Sequence, residues 1–161
     1  MEKNKNLKEL KKDYEKLRKK HSLPSFDELN KNFSIERISE TETDFLLREV
    51  RRAISEKINI YIRIIETFLQ PTNCPIYIFS IAKLLNTNNK EKLAEIYKKL
   101  AELEFKILEI DLEFAEEKEA NFIKEAYNVW MQIKESLLKI LDFITKNFEK
   151  KSKTEDRNYF I

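Results

Sequence analysis

The chain has 161 residues, 31 basic against 29 acidic side chains, a net charge of +2, and no glycine. Average usage of ~7% would supply about 11 glycines. Their absence excludes the P-loop and the dinucleotide-binding fingerprint, and it disfavours sheets that turn on tight hairpins. The near-balanced charge gives no bulk field toward nucleic acid or a membrane surface. The expectation is an all-α bundle of five or six helices, a single domain over 1–150, ending in a long antiparallel helical hairpin.

Leu7, Leu10, Tyr14 and Leu17 step by 3, 4 and 3, which predicts a helix over 1–23 with one apolar stripe. Its other faces are basic: the first twenty residues carry nine Lys/Arg, Lys12 and Lys19 among them, against four acids. Pro24 ends it, since a residue before proline avoids the α region. Ser25 with Glu28 three residues on forms a capping box for a short helix through Phe33. A connector over 34–43 follows, pinned by Ile35 and Ile38. The capping patterns at Ser39–Glu42 and Thr41–Asp44 predict that the next helix starts near 40–44.

That central helix, 44–70, carries Leu47, Val50, Ile54, Ile58, Tyr61, Ile65 and Phe68 at steps of 3 and 4. Pro71 and Pro75 break the chain after it. Residues 75–86 read as a buried helix with Pro75 at its first position, where the missing N–H costs nothing. Ile76–Phe79 is also apolar enough for a strand, but a chain without glycine and with helices on both sides favours helix.

After the Asn86–Asn89 turn, Leu93, Ile96, Leu100, Leu103, Ile107, Ile110 and Phe114 form one heptad seam. Ile123, Ala126, Trp130, Ile133, Leu137, Ile140 and Ile144 form another. From Phe114 to Ile123 is nine residues, which at 100° each is half a turn out of phase. One straight helix would therefore put the seams on opposite faces. A turn near 111–119 resolves this by folding 90–150 into a hairpin. The polar stretch 151–161 reads as a disordered tail.

Chemistry finds little support. His21 is the only histidine and Cys74 the only cysteine, so the His and Cys ligands of most zinc sites and the paired Glu-x-x-His of di-iron bundles are missing. Residues 102–119 hold eight acids and two lysines. They lack the register of the magnesium-binding Glu-Glu-x-x-Glu run of helical pyrophosphohydrolases, so they read as a solvated hairpin tip. The expectation is no enzyme, no catalytic residue, no metal, no cofactor and no small-molecule substrate. One cysteine, no apolar leader and no run long enough to span a bilayer fit a cytoplasmic protein.

Two surfaces remain. Residues 58–69 and 76–85 are apolar over arcs near 200° and 220°, where a surface helix needs little over 100°. They predict an interface with a protein partner or a second copy, with Ile62, Phe68, Tyr77 and Phe79 as its residues. The leading function is a non-catalytic interaction or scaffold protein. The alternative is accessory nucleic-acid binding through Lys12 and Lys19 of the first helix and an Arg48, Arg51, Arg52 face, because the arginine fork suits phosphate.

Overall fold

The computed structural model describes the backbone of residues 2–41, 43–72 and 74–158, and the side chains of 6–41, 43–72 and 74–148. Among the described residues there are six α-helices: α1 (Glu2–His21), α2 (Phe26–Phe33), α3 (Leu46–Leu69), α4 (Ile76–Leu84), α5 (Thr87–Leu112) and α6 (Glu116–Asn158), with a 3-10 turn at Ile35–Glu40. Among the described residues there is no strand, and the all-α expectation holds. The chain divides into two compact units. One comprises Met1–Ile60 with Ala101–Val129, the other Tyr61–Leu100 with Trp130–Ile161. The tail predicted over 151–161 lies outside the described side chains; helix α6 is assigned through Asn158, and 159–161 are outside the described backbone.

In the first unit, α1, α2 and the 3-10 turn pack on one another. Tyr14 is fully buried; its hydroxyl donates to the Pro24 carbonyl at 2.8 Å, and its ring meets Phe26 edge-on at 5.7 Å. A buried phenol thus has its partner, as burial requires. The capping box forms as predicted: the Glu28 N–H donates to Ser25 Oγ and the Ser25 N–H donates to Glu28 Oε2. Ile35 and Ile38 pin the connector into the core.

The absence of glycine has a local consequence. Both α1 and α2 end on a residue with positive φ, and both are serine: Ser22 at 54° and Ser34 at 53°. After Ser22, the Leu23 N–H reaches back to the Arg18 carbonyl at 3.2 Å, and the Ser34 N–H to that of Asn30 at 2.8 Å. A side chain in this region costs ~1–2 kcal/mol, partly offset because glycine loses more freedom on folding. Ser34→Gly is therefore expected to stabilise the chain by ~0.5–1 kcal/mol, and Ser34→Val to destabilise it, read as opposite shifts of the urea midpoint.

Helix α3 begins at Leu46, later than predicted. The Thr43 hydroxyl accepts from the Phe45 N–H at 3.0 Å, and the Phe45 carbonyl accepts from Glu49 at 3.2 Å. Thr43 therefore turns the chain just before the helix; the Ser39–Glu42 pattern involves residue 42, outside the described residues. The hairpin turn falls at 113–115, inside the predicted window. In the first unit its arms run antiparallel, with Lys106 paired to Glu125. The seams are buried as predicted except Phe114, which is exposed beside the turn.

In the second unit, Leu93, Ile96, Leu100, Ile133, Leu137 and Ile140 make the core, and Tyr61 meets Trp130 edge-on at 5.0 Å. Asn86 caps α5 by accepting from the Asn89 N–H at 2.8 Å, so the predicted turn is shorter and 87–89 already belong to the helix. Helix α4 forms after Pro75, whose carbonyl accepts from Ile78 and Phe79. The expectation that 75–86 is buried is corrected: Ala82 and Leu85 are covered, whereas Ile76, Tyr77 and Phe79 face outward. Apolarity sets how strongly a helix benefits from cover; it does not supply the cover.

Candidate functional site

The arginine face of α3 meets the acidic hairpin tip, both in the first unit. The first turn of α6 holds Glu116, Glu117 and Glu119, which suit the positive end of the helix dipole. Glu119 lies one turn in and is only 1% exposed. Arg51, 4% exposed, donates from Nε to Glu119 Oε2 at 2.6 Å and from Nη2 to Asp111 Oδ1 at 2.7 Å. Burial pushes the Glu119 carboxyl above its usual pKa range, against the pull of Arg51 and Arg48.

Arg48 sits one turn earlier on α3. Its Nε is 3.8 Å from Glu119 Oε1, too far to hydrogen-bond. Its guanidinium lies 4.2 Å from the Phe114 ring centroid and 5.1 Å from that of Phe45. The two rings meet edge-on at 5.7 Å. Glu119 Oε1 is buried and has no hydrogen-bond partner. Beside this cluster opens a cavity of about 660 Å³, walled by α1, the connector, the start of α3 and the hairpin tip. Glu116 on its wall accepts from Lys20 Nζ and contacts His21 Nε2, both at 2.7 Å; these bonds hold its carboxyl below the usual range.

Arg51 is an internal ion-pair member, which corrects its assignment to a phosphate-facing surface. Arg48 is half-buried on the phenyl pair, and exposed Arg52 donates to Glu49 at 2.8 Å. The cause is a pairing of two features read separately: the acids of the tip are the partners of the arginines of α3. The tip is accordingly not wholly solvated. Lys12 and Lys19 are exposed on α1. Ile62 and Phe68 are buried in the second unit, so they are core residues rather than interface; Tyr77 and Phe79 are exposed.

Sequence periodicity missed a further exposed stripe, Phe105, Leu108 and Leu112, at steps of 3 and 4 on α5. The stronger seam beside it masked that signal. Among the described residues no three or more His, Cys, Asp or Glu are arranged to hold a metal ion, and no helix is long and apolar enough to cross a membrane. Comparison with protein-family models, curated proteins and solved structures finds no match to this chain.

Proposed function

We propose that this chain is a non-catalytic helical interaction protein that self-associates through the outer face of α4, in a reducing, cytoplasmic setting that fits its single free Cys74. The face itself carries the reading. Ile76, Tyr77 and Phe79 are 86%, 58% and 42% exposed on a helix whose one charge is Lys83. Contiguous outward apolar groups of this kind mark interaction sites.

The occupant is a second copy. A two-fold interface must be complementary to itself, which an apolar face satisfies and a charged face does not. The face carries no acid, and Lys83 lies over its own Phe79 ring at 4.3 Å, leaving the outer side chains to meet their copies. Nine residues give ~13 Å of helix about 10 Å across, so one face of it covers well under the ~800 Å² per partner of a stable complex. The dimer is therefore expected to dissociate at about micromolar concentration.

Nucleic-acid binding stands behind this reading, because Arg51 is spent on Glu119 and Asp111. Light scattering tests the dimer. The wild-type mass should rise from monomer toward dimer between about 1 and 100 μM. Phe79→Glu should stay monomeric with unchanged helical circular dichroism. A wild-type chain that remains a monomer throughout ends the self-association reading.

A further inference from the structure

We propose that the cavity beside the hairpin tip binds a small organic cation, a guanidinium or primary-amine compound, with Arg48 as the intrachain group it displaces. The size is right: about 660 Å³ lies within the usual range for one small ligand. The charge is right as well. Six carboxylates line the cavity against two cations, Lys16 and Arg48. Four of these acids are engaged: Asp13 with Lys16, Glu116 with Lys20, Glu119 through Oε2 with Arg51, and Glu40 within the chain. Glu9 and Asp44, both exposed, have no ion-pair partner among the described residues.

Two further observations point to a ligand rather than to a merely acidic surface. Glu119 Oε1 is shielded from solvent yet accepts no hydrogen bond, although a buried carboxylate oxygen ordinarily has a donor. Arg48 Nε faces it but stops at 3.8 Å. The Phe45 and Phe114 rings already accommodate a guanidinium, that of Arg48, so the aromatic berth has the right chemistry for a planar or compact cation. Arg48 is half-exposed and can leave along the solvent side. An incoming cation that takes its place meets the orphan oxygen, and the Glu9 and Asp44 carboxylates line the same cavity. A compound with two cationic groups can therefore engage more than one of these carboxylates.

The test uses the full chain and agmatine, which carries a guanidinium and an amine, with inorganic phosphate as the opposite-charge control. Calorimetric titration in 150 mM salt should show one agmatine per chain and no phosphate binding. The double variant Glu9→Gln with Asp44→Asn removes exposed charges only; it should keep the wild-type melting temperature and weaken agmatine about tenfold or more. Arg48→Met, which takes away the competing cation, should tighten binding. Glu119→Gln should weaken it, and the surface pair decides the matter if that variant does not fold. Agmatine that fails to bind at 10 mM, or binds the surface double variant as tightly as wild type, overturns the proposal. So does phosphate binding comparable to that of agmatine.

Discussion

Glu119→Ala is expected to destabilise the chain by ~3–5 kcal/mol, because it strands the Arg51 guanidinium in the core. Arg51 is 4% exposed and gives Nε to Glu119. Its other bond, to Asp111, goes to a half-exposed carboxylate that water screens. Removing one member of a buried pair costs far more than the pair contributes, since the desolvation of the remaining charge is no longer offset. The double change Arg51→Met with Glu119→Leu should recover most of the loss, as apolar isosteres often replace a buried pair at little cost. Urea unfolding of wild type, Arg51→Met, Glu119→Leu and the double variant measures the coupling. A Glu119→Ala variant within ~1 kcal/mol of wild type would show that the pair is solvated.

Trp130→Ala is expected to cost ~3–5 kcal/mol in the second unit. The indole is buried, and its edge contact with Tyr61 at 5.0 Å contributes beyond the area it covers. Alanine leaves a void that neighbouring helices, held by seams on either side, cannot close fully. Trp130→Phe keeps the ring contact and should recover roughly half of the loss. In a chain of this length the alanine variant should melt about 10 °C or more below wild type. A shift of only a degree or two would mean that the seam does not run through residue 130.

The helices and their seams were readable because a buried stripe repeats at steps of 3 and 4, and each step is a local fact. The hairpin turn was readable for the same reason, as two seams half a turn out of phase cannot share one straight helix. The Ser25–Glu28 cap is also local, three residues apart. What the sequence concealed is non-local. Nothing along the chain tells Arg51 that its partner is 68 residues away, so its charge and the acids of the tip read as two surfaces. Whether Ile62 or Ile76 is covered depends on which neighbours reach each of them. Both sit in equally apolar stretches, yet one is core and the other is exposed. The start of α3 was concealed by redundancy, since three hydroxyl residues compete to turn the chain and Thr43 does so.

Amide hydrogen exchange across α4, followed as a function of protein concentration, reports directly on self-association at this helix. In the isolated chain the outer face of Ile76–Leu84 meets solvent, and its short helix should exchange fast. If two copies meet there, amides of 76–84 should become progressively protected as the concentration rises through the micromolar range. Those of the Leu93–Leu103 seam should stay unchanged. Protection of 76–84 that does not vary with concentration, or that rises only on another helix, would contradict an interface at α4.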